Sequence, residues 1–429
     1  MSIQSTLATF GYAQVLVTLK RVSPGDVAAM TAAASQILRL GHYFKAPADS
    51  HSGAIAKLVH CPPAPVRFFR QLGLILGTVD QQGYADIRKH PLVKTVHEVP
   101  PLSLIRPLKS QAQPLKPGLT WGLERLGVER LWREGLSGKG VIVGHLDTGI
   151  DGAHPALRKA IHAFAEFDLA GNLLDGSEPH DSDVHGTHTA GTIAAREYRK
   201  SRFGVAPAAT LASAMVIEGG DVLARIVGGM DWVVGQGAKV LSMSLGFRGY
   251  DASFAPLIEA LRRRGVLPVI AVGNEGPGTS RSPGNYANVL SVGASDDQDQ
   301  VAAFSSSQRF TRVKEPLVPD IVAPGVDIGS CLPNRGFGLM SGTSMATPHV
   351  AGLAALLWEA KPEAEVNEIE QAILDSCSRP KSMTETRGNR GLPAAVRAVE
   401  ILTKTRWKSS STSGRQPTHN RKRQATTAR

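Results

Sequence analysis

Three short runs carry side chains that could cooperate in nucleophilic chemistry. The run Ser341-Gly-Thr-Ser-Met-Ala-Thr-Pro-His-Val-Ala-Gly352 sets Ser344 among small residues at the head of a helical pattern. A helix start offers free N–H groups and the positive end of a dipole, which suits a nucleophile that must carry a developing oxyanion. Val141-Ile-Val-Gly-His-Leu-Asp-Thr-Gly-Ile-Asp151 is an apolar run ending in Asp147. It reads as a buried strand delivering a carboxylate to the C-terminal edge of a parallel sheet, where open α/β sheets place their sites. His185-Gly-Thr-His-Thr-Ala-Gly191 leads His185 into a second helical pattern. A serine nucleophile, an imidazole to take its proton and a carboxylate to fix the imidazole make a triad, and Asp147, His185, Ser344 is one of its known chain orders. Val269-Ile-Ala-Val-Gly-Asn-Glu-Gly276 ends a fourth strand in Asn274, readable by itself as a turn residue before Glu275-Gly276. His185 and His188 stand three apart, as metal ligands can, but no third ligand of suitable spacing follows. His188 and His349 read as packing histidines, and Asp151 and His154 as structural loop residues.

The three boxes, from about Trp121 to Ile401, resemble the Asp, His and Ser boxes of the subtilisin-like serine peptidases (subtilases), whose own chain order this is. The resemblance implies a serine endopeptidase on an α/β, doubly wound, mostly parallel sheet, with no cofactor. It makes Ser344 the nucleophile, His185 the general base and Asp147 its orienting carboxylate. It also gives Asn274, with the Ser344 backbone N–H, to the oxyanion hole. Ser244, Leu245 and Gly246 resemble the edge that pairs with a substrate backbone, and Ala271, Val272 and Gly273 the other wall of the first pocket. Such pairing implies an extended or unfolded polypeptide substrate. Arg281 falls near the pocket floor, either biasing it toward acidic or polar residues or lying as a solvated loop arginine. One departure is plain. Many relatives hold calcium with an acidic residue after His-Pro and an Asn-rich loop after the His-box helix. This chain has Ala156 and the basic run Arg196–Phe203, so that site is expected to be absent. A peptide ligase or macrocyclase would share the same acyl-enzyme, and a non-catalytic peptide-binding scaffold would share the fold.

The elements around these boxes divide the 429 residues. Residues 1–12 are expected to be a flexible N terminus, 13–101 a small α+β domain, 102–118 a linker, 119–403 the catalytic domain and 404–429 a basic disordered tail. In the second unit, strands are expected at 13–20, 54–60, 72–79 and 93–99, with helices from Asp26 to Leu40 and from Tyr84 to His90. That βαββαβ order fits a ferredoxin-like fold and resembles the inhibitory pro-domain of the family. The domain would then plug the cleft as an intramolecular inhibitor, with self-cleavage between about Arg106 and Thr120. Charge is uneven within a net +11: residues 1–110 carry +7, 111–403 carry −4 and 404–429 carry +8. Opposite signs suit docking of the two domains. The basic charge lies outside the catalytic region, so nucleic acid is not expected as a partner. Met1–Lys20 lacks a secretory pattern, and no apolar run reaches the ~18–20 residues of a membrane span. Cys61, Cys331 and Cys377 are an odd set spread over both domains, which argues against a disulfide framework. Together these favour a cytoplasmic protein, with secretion as the alternative.

Overall fold

The computed structural model describes residues 3–20, 27–39, 43–44, 66–100, 102–114, 116–168, 170–217 and 222–407. Strands and helices are labelled in chain order. The N-terminal unit contains α1 (Ile3–Phe10), β1 (Ala13–Leu19), α2 (Val27–Arg39), β2 (Val66–Phe69), β3 (Leu74–Val79), α3 (Gln81–Ile87) and β4 (Val93–Glu98). Its sheet is antiparallel, in the order β2-β3-β1-β4. Side chains alternate between the sheet faces with period two. Val15, Val17 and Ile75 pack with Ala34, Ile37 and Tyr43. Leu16, Leu74 and Leu76 point the other way, into a core shared with the main domain.

Some expectations for this unit change. Residues 1–12 are not simply a flexible lead: Ile3–Phe10 is helical because Leu7 buries against the sheet and Thr6 Oγ1 donates to Glu98 Oε1 at 2.7 Å. The expected strand at 54–60 and Cys61 lie outside the described residues, while a strand not expected forms at Val66–Phe69. The second helix starts three residues early because Asp80 caps it, its carboxylate accepting the Gly83 N–H at 2.8 Å.

The main domain is built on β7 (Ile142–Asp147), β8 (Ile161–Phe167), β9 (Leu173–Leu174), β10 (Thr210–Met215), β11 (Val240–Met243), β13 (Leu267–Ala271), β14 (Leu290–Ser295) and β15 (Ile321–Pro324). These form an eight-stranded sheet in the order β9-β8-β10-β7-β11-β13-β14-β15, parallel except for the edge strand β9. Helices cover both faces, so strands such as Leu267–Ala271 are buried at every position. One face takes α4 (His185–Ala194) and α7 (Thr343–Ala360). The other takes α5 (Val222–Gly235) and α6 (Ala255–Arg263), on which the N-terminal sheet rests. Leu72 N–H donates to Asp231 of α5 at 2.9 Å across that junction. Strand order reverses across β7: β8 and β10 lie to one side, and β11, β13, β14 and β15 to the other. Asp147 closes β7 at that switch point, where a crevice opens at the sheet's C-terminal edge.

Residues 102–118, expected as a linker, are partly strand. β5 (Ser103–Leu104) pairs antiparallel with β12 (Leu245–Arg248), and β6 (Lys109–Ala112) with β17 (Gly336–Ser341). At the other end, packing continues to Trp407, whose ring lies under Arg130 and whose N–H donates to Glu400. Residues 408–429 lie outside the described residues.

Candidate active site

Asp147 and His185 meet because two glycines let their backbones touch. A Cβ at Gly186 would come within 2.1 Å of Gly149 O, and Gly149 itself has φ +125°, a region open mainly to glycine. Asp181 staples the same corner: its carboxylate accepts from Thr148 Oγ1 at 2.7 Å and from the Thr187 N–H and Oγ1 at 2.6 Å each. His185 Nδ1 then donates to Asp147 Oδ1 at 2.6 Å. Oδ1 also accepts the Thr148 N–H at 2.8 Å, and Oδ2 accepts Thr189 Oγ1 at 3.1 Å. Burial alone would lower the pKa of His185, but the Asp147 carboxylate outweighs it and holds the imidazole above its ordinary value. Burial would raise Asp147, and the imidazole outweighs that in turn and keeps the carboxyl low. Such a pair stores a ready proton acceptor at Nε2, which is buried and has no hydrogen-bond partner.

Ser344 is the second residue of α7, buried, with Asn274 beside it. Pro348 lies inside the helix and has no N–H to give the carbonyl four residues back. The Ser344 carbonyl instead accepts Ser244 Oγ at 3.4 Å, tying the helix head to the neighbouring strand end. Asn274 Oδ1 accepts both the Thr343 N–H and Thr343 Oγ1 at 2.9 Å. That fixes the amide so that Nδ2 points into the cleft, where a fixed donor can meet developing negative charge.

The cleft is filled by the chain's own residues. The Ile105 N–H donates to Ser244 O at 2.9 Å, and Leu104 and Ser103 pair with Leu245 and Gly246. Beyond Ser344, the Leu108 N–H donates to Ser341 O at 2.9 Å and β6 continues along β17. Between the two stretches, Ser344 Oγ donates to Ile105 O at 2.6 Å, while Asn274 Nδ2 donates to Arg106 O at 2.9 Å. The nucleophile and the amide donor thus sit on two successive carbonyls. Arg106 leans out to Asp183 at 3.0 Å. Sequence reading took these residues as a linker, because nothing in Ser103–Ala112 marks it as a strand.

Ala271 ends β13, and Val272 and Gly273 follow it. Arg281 spans the space behind them, close to both Gly273 and Gly246. It is not a solvated loop arginine: it is buried, ion-paired to Glu275 at 2.5 Å, and donates to Gly246 O at 3.2 Å and Ser103 Oγ at 3.1 Å. Burial opposes ionisation of Glu275, and Arg281 overcomes it and holds the carboxyl low, so the pocket's positive charge is compensated.

His188 Nε2 bonds Ile328 O at 2.9 Å, and His349 Nδ1 bonds Met345 O at 2.8 Å. Burial drives their pKa values down to about 3 and about 4, leaving both neutral. His154 lies against Gly336 O, and Asp151 accepts the Asn334 N–H. The family's calcium does not fit the residues present. Ala156 offers no side-chain oxygen, and the Arg196 guanidinium lies on the carbonyls of Ala194 and Lys159. Among the described residues no group of three or more His, Cys, Asp or Glu could hold a metal ion, and no helix is long and apolar enough to cross a membrane.

A switch-point crevice holding a His–carboxylate pair, a serine at a helix head and an amide donor defines a site able to perform acyl transfer. Comparison with known proteins agrees. Residues 138–404 match the model of the subtilase family. M-protease of Shouchella clausii is 38% identical over 244 residues, 56% of this chain and 60% of that protein. Subtilisin Savinase of Lederbergia lenta is 38% identical over 244 residues, 56% of this chain and 85% of that protein. Subtilisin E of Bacillus subtilis is 32% identical over 301 residues, 68% of this chain and 72% of that protein. The chain belongs to the subtilase family, and with it to the serine endopeptidases.

Proposed function

We propose that this protein hydrolyses peptide bonds of extended or unfolded polypeptides and is made as a zymogen that blocks its own cleft. Ser344 Oγ attacks the substrate carbonyl as His185 Nε2 takes its proton. The proton then passes to the leaving amine as the acyl-enzyme forms. Water, deprotonated by the same nitrogen, releases the acid. Asp147 holds the imidazole, and Asn274 with the Ser344 N–H meets the oxyanion. Ser244–Gly246 and Ala271–Gly273 grip the substrate on either side of its backbone. The observation that carries the reading is the pairing of Ser103–Ile105 along Ser244–Gly246, with Ser344 Oγ on the Ile105 carbonyl. It is a peptide paired along the cleft edge as a substrate backbone would be, though not presented for attack.

In this reading the N-terminal domain and residues 102–118 act as an intramolecular inhibitor, with self-cleavage between about Arg106 and Thr120. The division of Ser344 and Asn274 over two carbonyls supports a held, unreactive state: no single carbonyl has both nucleophile and oxyanion donor. We place the enzyme in the cytoplasm, a setting consistent with the free thiols of Cys331 and Cys377. Intact mass spectrometry of wild type and Ser344→Ala, each treated with a fluorophosphonate, tests the whole reading. The expected result is an adduct, and loss of about the first hundred residues, in wild type only. Labelling of Ser344→Ala would overturn the nucleophile assignment. An adduct on an intact, active chain would overturn the zymogen reading.

A further inference from the structure

Behind the Asp147–His185 pair lies a second histidine that the triad does not use. In a strand, residues two apart share a face, so His145 projects from β7 on the same side as Asp147. It is 1% exposed, with Nδ1 at 2.9 Å from Ser213 Oγ on β10, Nε2 at 2.8 Å from Thr189 Oγ1 on α4, and Nε2 at 3.7 Å from Asp147 Oδ2. Thr189 has one hydroxyl proton and three acceptors at nearly equal range besides the imidazole: Asp147 Oδ2 at 3.1 Å, Gly186 O at 3.1 Å and His185 O at 3.2 Å. Bonding to a carbonyl of its own preceding turn is the default for a helical threonine. That choice would leave Asp147 Oδ2 without a donor.

We propose that His145 is a positioning residue for the triad: its Nε2–H donates to Thr189 Oγ1 and so commits the Thr189 proton to Asp147 Oδ2. The Asp147 charge favours this tautomer, because it aligns every dipole of the chain toward the carboxylate. Ser213 Oγ–H donates to Nδ1, Nε2–H to Thr189, and Thr189 to Asp147. In the opposite tautomer Nε2 would accept the Thr189 proton and the carboxylate would lose it. With the relay in place Oδ1 keeps the Thr148 N–H and His185, Oδ2 keeps Thr189, and the carboxylate cannot swing away from His185 Nδ1. The titratable groups facing His145 are Asp147 and His185, and Asp181 and Asp183 act on His185 from the loop before α4. Burial, opposed by Asp147, lowers the His145 pKa to about 4, so the relay stays neutral wherever a peptidase with a neutral His185 works.

The inference rests on the triad reading, and the experiment separates the two. Processed, active-site-titrated wild type, His145→Val, His145→Gln and Thr189→Val are compared. The control is Ser344→Ala, processed in trans by tagged wild type that is then removed, and quantified by absorbance. Loss of the fixed donor to a charged group is expected to lower kcat roughly tenfold with KM within about twofold. It should also move the acid limb of kcat upward, because a less solvated Asp147 binds the imidazolium more strongly. Thr189→Val, nearly isosteric, should reproduce both changes, the His145→Val/Thr189→Val double variant should be no worse than either single one, and His145→Gln, which keeps a donor, should recover most of kcat. Unchanged kcat in Thr189→Val, or a fall in kcat with an unmoved acid limb and no recovery by glutamine, would overturn the relay. Hydrolysis surviving in Ser344→Ala would overturn the triad reading instead.

Discussion

If the chain blocks its own cleft, weakening the block must strengthen binding of an outside peptide by a calculable factor. Ile105 is the place to test it, being 1% exposed and held by its own N–H and carbonyl to Ser244 and Ser344. Ile105→Ala removes only buried side-chain volume, which costs about 2–4 kcal/mol where the site cannot collapse. Ile105 and the outside peptide compete for one groove. Apparent affinity therefore rises by the factor by which the open state gains population, roughly 30- to 700-fold at 1.4 kcal/mol per decade. Catalysis is removed with Ser344→Ala so that no strand is cut. Fluorescence anisotropy of a labelled extended peptide is then compared between Ser344→Ala and Ser344→Ala/Ile105→Ala. Equal dissociation constants, with both chains equally folded by circular dichroism, would refute the reasoning.

Other consequences follow from the same geometry. Asn274→Ala removes the cleft-facing amide and should lower kcat by about 10²–10³ with little change in KM, read from steady-state kinetics. His185 must be neutral to take a proton, and Asp147 raises its pKa. Activity should therefore climb with pH through a limb lying above 6.5, and Asp147→Asn should move the residual limb downward. Glu275→Gln leaves the buried Arg281 charge uncompensated. The cleavage ratio of Glu-type to Leu-type peptides should rise by roughly tenfold, while Arg281→Ala in that background should abolish the rise. Chelation by EGTA should leave the melting temperature within about 1 °C, since no bound cation is expected to stabilise the native state.

The motifs were legible because each is a local device. A small-residue run before a helix, an apolar strand ending in aspartate and a glycine-flanked histidine reveal themselves within ten residues. His145, two before Asp147, and Thr189, four after His185, were given no role from sequence, since neither belongs to a local device of that kind. Ser213, on a third strand, gives no sign of its role until the sheet aligns β10 with β7. The choice between a pocket arginine and a solvated loop arginine stayed open at Arg281 because its partner Glu275 is brought to it by a loop. The early start of α3 turned on one capping carboxylate, Asp80. The strands of residues 103–112 were hidden for a different reason: their order comes from the edges they join, not from their own alternation.

Those edges explain why the cleft should be filled in the resting chain. Without residues 103–112, β12 and β17 would each present unpaired backbone groups on one side of Ser344, open to an extended peptide and to any stray strand alike. A cleft that recognises backbone rather than a particular side chain cannot tell its substrate from a neighbouring nascent chain. Covering both edges with residues joined in cis, at high effective concentration, removes that hazard without altering the recognition surface. The arrangement needs only that the covering strand be poor at the chemistry. A strand that gives Ile105 O to the nucleophile and Arg106 O to the oxyanion donor meets that need.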